Sequence, residues 1–500
     1  MSEPSSSFAT NVLKLVTGSV FAQGLGVLVV PIVTRLFAPE AFGVVALFAS
    51  ITGTLGVVAC LRYQLAIMLP KTDEDAANLL GVSLFSVLII TGLSILTIFF
   101  AGNHIARLLN SQELSNYLWL VPVAVFINGT FLALNYWNSR TKHFGRLSIA
   151  RVVSSVATQT TKLGAGFAGF VSGGVLIGTS ILGQLVATVV LGGQILRDDQ
   201  RLFKADIRWK KMIAGLKRHK KFPIYSTWSA LINTASHQLP VWFLAFYYSA
   251  NVVGFYSVAI FVVSVPTRIV GDALAQVFYQ EASNAYNQTG EMRNVVEKVF
   301  MRLVSCGIFP ALLLMLVGKE LFIIVLGTQW AEAGVYVQIL TPFLFLQFIS
   351  SPLSTILIVL ERQGSYMIFD AILFGARLVA LIGGGITGNI LVTLTLFSLA
   401  SALCYCFLGY WILLRAGVSV KHTLSNSARY VKYCIPMIVI MALVKWGLVL
   451  NPIFILVLAS LAAIYYYITI FREDKILRDA AKRMFSLFRS KFAFTSGIDK

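Results

Sequence analysis

Five basic side chains stand inside long apolar stretches: Arg35, Arg62, Lys162, Arg268 and Arg377. The acids at comparable depth are few, Asp272 and Asp370, so positive charge is in excess. A charge among apolar neighbours is costly and by default faces an interior or a water-filled cavity. Arginine offers paired donors to a phosphate and lysine a compact charge, so such an interior suits an anionic group. Each residue also has an ordinary reading. Arg35, in "PIVTRLFAPEAFG" (31–43), either lines a cavity or reaches to the interface from the end of its run. Arg62 has the same two readings near the end of the second run. Lys162 is deeper, among the small and polar residues of "TQTTKLGAGFAG" (158–169). Arg268 and Asp272, four residues apart on one helix face, form a gate or simply neutralise each other. Arg377 and Asp370, two turns apart, read as structural. His237, in "NTASHQLP" (233–240), titrates in a range suited to gating or proton coupling, although a hydrogen-bonded core role is commoner. The aromatic stretch "PVWFLAFYY" (240–248) suits sugar stacking or, more ordinarily, a membrane interface.

The elements that must carry these residues follow from composition. Of 500 residues, 57% are hydrophobic and only 12% charged, about half the ~25% of soluble chains. The fold class is therefore all-α and membrane-spanning. Runs of about twenty apolar residues fall near 11–37, 42–69, 77–100, 115–138, 147–170, 173–196, 223–248, 252–280, 296–317, 334–360, 365–387, 390–414, 430–449 and 452–471, about fourteen in all. Lys and Arg gather in alternate loops, at 139–146, 197–222 and 415–429 and in the tail. That pattern places both termini in the cytoplasm. It also accounts for most of the net charge of +19, which removes the nucleic-acid reading. "IRWKKMIAGL" (207–216) and the tail around Leu477 to Phe488 are amphipathic and suit an anionic leaflet. The N-terminus lacks a basic signal-peptide start, so the first helix is expected to stay. Five cysteines have no zinc spacing, and no G-x-x-x-x-G-K-[ST] is present. No metal or cofactor is expected.

The chain reads as an N-lobe of six helices (1–196), a basic cytoplasmic linker with an amphipathic helix (197–222) and a C-lobe of six helices (223–414). Helices 13 and 14 (415–471) and a basic tail (472–500) follow. "RLFAPEAFGVVALF" (35–48) is echoed by "AFYYSANVVGFYSVAIF" (245–261), with Gly43 and Gly254 each opening the next helix. Transporters are often built from such repeats around a central site.

A first span ending "PIVTRLFAPEAFG" resembles polysaccharide exporters of the MOP (multidrug/oligosaccharidyl-lipid/polysaccharide) superfamily, within it the Wzx-like O-antigen and exopolysaccharide flippases. "NSRTKHFGRLSIARV" (138–152) is similar to the family's basic turn after the fourth helix, and "LGTQWAEAG" (326–334) to its turn before the tenth. The proline expected near the end of the eighth span is missing from "VFYQEAS" (277–283). The resemblance implies a V-shaped central cavity and a flippase that carries an undecaprenyl-diphosphate-linked oligosaccharide to the periplasmic leaflet of the bacterial inner membrane. It further implies a monomer, with a polymerase and a chain-length regulator as pathway partners. Substrate contact would fall to Arg35, Arg62, Lys162 and Arg268, and gating or ion coupling to Asp272 and His237. A MATE-type drug exporter shares the architecture but typically carries a carboxylate in the first helix, where no acid precedes Glu40. A polymerase or glycosyltransferase would need a large external loop or soluble domain. "DED" (73–75) formally matches a D-x-D metal motif, yet reads better as a solvated loop.

Overall fold

The computed structural model describes residues 5–266, 278, 281–286, 288, 290–360, 362–447 and 452–473. Every regular element among them is a helix, as hydrocarbon demands of a segment that must pair its own backbone. The long helices are α1 (Ser5–Leu36), α2 (Pro39–Val58), α3 (Asp73–Leu108), α4 (Val121–Arg140), α5 (Phe144–Phe167) and α6 (Gly173–Asp206), followed by the short α7 (Trp209–Arg218). Then come α8 (Thr227–Tyr247), α9 (Ala250–Pro266), α10 (Arg293–Leu326), α11 (Ala331–Leu353), α12 (Gln363–Ile386), α13 (Ile390–Arg415), α14 (Val420–Gly447) and α15 (Pro452–Glu473). Among the described residues, ten helices are long and apolar enough to cross a bilayer, and Val20–Leu36 and Ala250–Val265 are shorter apolar stretches. The runs expected at 147–170 and 223–248 are helical as α5 and α8. The amphipathic tail lies, beyond Glu473, outside the described residues.

The chain forms two compact units, Met1–Ile269 with Val325–Tyr336 and Met367–Ser401, and Val270–Ile324 with Val337–Tyr366 and Ala402–Lys500. In the first, small residues let helices close up. A Cβ on Gly18 would lie 1.9 Å from Ser148 Oγ, and Ser155 Oγ donates to the Ala22 carbonyl at 2.9 Å, so α1 lies against α5. Ser154 Oγ reaches the Gly183 carbonyl at 2.6 Å and draws α6 onto α5. Pro39 starts α2, where its missing N–H costs nothing.

The "DED" motif is the first turn of α3. Thr72 Oγ1 accepts from the Asp75 amide at 3.3 Å, and the three acids complement the helix dipole. Asp73 is held by Arg140 Nε at 2.9 Å. The same guanidinium donates to the carbonyls of Ile67, Pro70 and Thr72 at 2.9–3.1 Å, closing the α2–α3 connection onto α4. Arg140→Ala leaves those carbonyls unpaired, and we expect it to cost about 2–4 kcal/mol, read as a lower thermal midpoint in detergent. A midpoint equal to wild type would show that the staple carries no stability. Arg146 likewise pairs with Asp198 at 2.7 Å and Asp199 at 3.4 Å, and Trp137 Nε1 donates to Asp199 at 2.9 Å. The basic turn after α4 is thus engaged with α3 and α6.

Helix α7 is amphipathic as expected, but part of its apolar face packs on protein rather than lipid. A Cβ on Gly81 of α3 would touch Met212 at 3.2 Å, Trp209 meets Phe85 edge-on at 5.4 Å, and Tyr63 Oη donates to the Leu216 carbonyl at 3.2 Å. Trp209, Ile213 and Leu216 nonetheless keep exposed surface for a leaflet.

In the second unit, α10 is kinked at Val317 (φ −123°, ψ 20°). The kink frees carbonyls, and Gln338 Nε2 donates to those of Met315 and Leu316 at 3.1 Å. Lys445 Nζ reaches Leu316 at 2.6 Å and Glu320 at 3.1 Å. Tyr466 Oη bonds the Ser305 carbonyl at 2.8 Å, and its ring stacks on Phe309 at 5.0 Å, which fixes α15 to α10.

Candidate functional site

A cavity of about 420 Å³ lies within the first unit, walled by α1, α2, α5, α6 and α9. Most of its wall is apolar, from residues such as Val30, Phe42 and Phe261. Among the described residues its polar groups are Gln23, Gln159, Lys162, Ser180 and Ser257, with no carboxylate. Gln159 and Lys162 are three apart on α5 and so share a face. Gly26 on α1 leaves room beside the Gln159 amide, whose Nε2 would lie 3.7 Å from a Cβ there. Ser257 Oγ is buried with no hydrogen-bond partner among the described residues. Lys162 is half-buried, and no described protein group pairs with its ammonium. A half-buried cation and a buried hydroxyl with no described protein partner are costly unless water or a ligand meets them.

The other expected site residues that are described stand elsewhere. Arg35 is exposed in the last turn of α1, and its Nη1 donates to the Pro31 carbonyl at 2.9 Å. It stands beside a clamp and does not line this cavity. Next to it, Thr34 Oγ1 donates to the Leu326 carbonyl at 3.1 Å, and the Thr34 carbonyl accepts from Gln329 Nε2 and from Trp330 Nε1, the latter at 2.8 Å. Gly327, at φ +113°, turns the chain beside the Arg35 stem. Trp330 is fully buried edge-on to Phe42 at 5.0 Å. Trp330→Phe keeps the ring and loses the donor, so we expect about 1 kcal/mol of destabilisation, measured as a thermal midpoint; a larger fall would mean the clamp is cooperative.

Arg62 has φ +63° and follows Leu61 at +48°, in the turn that ends α2. Its Nε is buried without a partner, and it does not line the cavity. His237 is exposed on α8, also outside the cavity lining. Arg268 and Asp272 lie outside the described residues. Arg377 is buried, with Nε bonded to Ser401 Oγ at 3.1 Å and its guanidinium over the Phe397 ring at 5.4 Å. Asp370 accepts from Asn233 at 3.5 Å. Among the described residues, Lys162 is therefore the expected site cation that the cavity contains. Its companions Gln23, Gln159, Ser180 and Ser257 carry no charge to mark them; the three-residue spacing of Gln159 and Lys162 was the available signal.

The wall formed by α2 and α9 ends in a backbone contact. A Cβ on Gly43 would lie 1.7 Å from the Ala250 carbonyl oxygen, and one on Gly254 would lie 1.9 Å from that of Pro39. The two echoed glycines thus face one another, about one turn beyond Ala46 and Ser257 of the cavity wall.

Residues 32–335, more than half of the chain, match the family of polysaccharide biosynthesis proteins. The chain belongs to that family. Its structure is similar to that of the lipid II flippase MurJ in an inward closed conformation, with a TM-score of 0.70 and 13% identity over 94% of this chain and 98% of that one. It is also similar to a multidrug resistance MATE family transporter of the MOP superfamily in an inward-facing conformation, with a TM-score of 0.51 and 16% identity over 81% and 94%. A MOP superfamily transporter from Pyrococcus furiosus, described as having a binding pocket of reversed polarity, gives 0.50 and 15% over 81% and 95%. At such identities the likeness is one of fold, and it agrees with the resemblance carried by "PIVTRLFAPEAFG". No curated protein matches in sequence. With ten helices among its described residues long and apolar enough to cross a bilayer, this polysaccharide biosynthesis protein is a multi-pass membrane protein.

Proposed function

We propose that this polysaccharide biosynthesis protein is a flippase that moves an undecaprenyl-diphosphate-linked oligosaccharide from the cytoplasmic to the periplasmic leaflet by alternating access. The observation that carries this reading is the cavity whose charged lining residue, among the described residues, is Lys162, with amides and hydroxyls around it and no described acid. A diphosphate and the hydroxyls of a sugar cannot cross hydrocarbon unaided, because each unpaired polar group costs several kcal/mol. The prenyl tail can remain in lipid throughout. Lys162 meets the phosphate charge, and the glutamines and serines replace water at the sugar. In the closed state the Gly43–Gly254 crossing would seal the periplasmic side, with the basic loops and both termini cytoplasmic in the inner membrane. The N-lobe and C-lobe, 1–196 and 223–414, would then rock about this seal. The protein is read as a monomer delivering to a polymerase and a chain-length regulator.

A drug exporter for cations is the second reading, favoured by the MATE-type fold. Against it stands a cavity whose lining has a cation where such cargo needs a carboxylate.

Reconstitution into sealed vesicles with a short-sugar undecaprenyl diphosphate tests the choice. Outward movement of the lipid-linked sugar without efflux of cationic dyes is the expected result. Dye efflux without flipping would assign the protein to the exporter class. An inside-negative potential is worth about 2.3 kcal/mol per charge per 100 mV, so two phosphate charges crossing without ion exchange gain roughly 5. Collapsing the potential should therefore slow flipping; an unchanged rate would mean that charge is exchanged or that product removal drives the step.

A further inference from the structure

The second unit carries a cleft that the flippase reading does not use. It lies where the first turns of α10 meet the first half of α14, has a volume of about 350 Å³, and is lined by Lys298, Arg302 and Arg429 together with Asn294, Asn426 and Tyr430. Glu297 also lines it, so the described lining carries two net positive charges. On α10, Asn294, Lys298 and Arg302 follow one another at four-residue spacing and share one face. On α14, Asn426 and Arg429 present another. The two helices are held together here by Ser427 Oγ against Met301 Sδ at 3.2 Å. Arg429 is braced within its own helix, with Nη2 3.1 Å from Tyr430 Oη and its guanidinium 5.0 Å over that ring. His422 joins the edge through its Nε2, 3.0 Å from Asn426 Nδ2. The first turns of a long helix add partial positive charge.

We infer that this cleft binds the phosphate headgroup of an anionic lipid in the leaflet that faces the basic loops. Three cations and two amides converge on a space far larger than the ~30 Å³ of one water, and this is the donor set that phosphate oxygens recognise. Helix α14 begins at Val420, within the basic stretch 415–429 that the charge pattern assigns to the cytoplasmic leaflet, where lipid phosphates stand. Val431, just past the cleft residues along α14, is an exposed apolar residue suited to the acyl chains. A juxtamembrane cation attracts an anionic leaflet by about 1 kcal/mol; the cleft concentrates three and adds directed donors. The inference stands whatever cargo the Lys162 cavity carries.

The test uses the full chain in phosphatidylcholine nanodiscs with a small fraction of a phosphatidylglycerol bearing a photoactivatable diazirine next to its headgroup. Peptide mapping should place the label in 293–302 and 426–431. In the triple variant Lys298→Ala, Arg302→Ala, Arg429→Ala labelling should fall about ten-fold, while the pair Arg302→Lys, Arg429→Lys should keep most of it. If the triple variant does not fold, Lys298→Gln alone, on an exposed residue, should lower labelling about three-fold. Competition separates the two sources of phosphate. Displacement by less undecaprenyl diphosphate than unlabelled phosphatidylglycerol assigns the cleft to the prenyl carrier, and the reverse order assigns it to bulk phospholipid. Equal labelling by a phosphatidylcholine probe, or labelling unchanged by loss of the charges in a folded variant, would overturn the inference.

Discussion

Lys162→Ala should reduce flipping by about ten- to a hundred-fold, the 1.5–3 kcal/mol carried by a charged hydrogen bond, while leaving the thermal midpoint close to that of wild type. The reason is its setting. Lys162 lines the cavity and is paired with no described protein group, so shortening it removes a ligand contact and breaks no internal bond. Lys162→Arg keeps the charge in a bulkier, planar form and should retain part of the rate. Lys162→Gln should resemble alanine, because an amide supplies donors but no charge. Flipping at the wild-type rate in Lys162→Ala would remove the cavity from the path of the diphosphate. A fall in stability as large as the fall in rate would make the residue structural.

The second large effect is expected at the α2–α9 crossing. Gly43→Val must place a branched side chain where the Ala250 carbonyl already stands, at 1.7 Å from the first added carbon. Gly254→Val meets the Pro39 carbonyl at 1.9 Å. Backbone cannot swing aside as a long side chain can, so the helices must part. The cost of forcing a packed contact is typically about 1–3 kcal/mol, and here it falls on the closed state alone if the crossing separates during transport. Each variant should therefore open a Ser257→Cys probe to thiol reagents added from the periplasmic side, with a lower thermal midpoint and slower flipping. Wild-type stability and closed accessibility in both variants would mean that the helices do not cross at these glycines.

Much of this architecture was legible in the sequence because hydrocarbon imposes it. Runs of apolar residues, the proline that opens α2 and the alternating basic loops all follow from rules that act along the chain. The echo of "RLFAPEAFG" in "AFYYSANVVG" pointed to two related glycines, yet nothing in the spacing said that Gly43 and Gly254 touch. Which helix face meets which is decided by packing between segments far apart in sequence. Charge was a partial guide to the site. It marked Lys162, which the cavity contains, and Arg35, whose neighbours form a clamp with Leu326, Gln329 and Trp330. Gln23, Gln159, Ser180 and Ser257 escaped notice because a neutral polar residue in an apolar run usually bonds its own helix backbone, and only the fold turns these into one cavity. Arg140 was read as a topology signal; its four bonds to the α2–α3 connection are invisible until that connection folds back.

Protection of Ser257→Cys from a small thiol reagent, in a chain whose five native cysteines are replaced, reports directly on whether the substrate occupies this cavity. A short-sugar undecaprenyl diphosphate should slow labelling, undecaprenol without phosphate should not, and the protection should vanish when Lys162→Ala is added. Equal labelling with and without the lipid-linked sugar, in protein that still flips it, would place the substrate elsewhere and contradict the role assigned to Lys162.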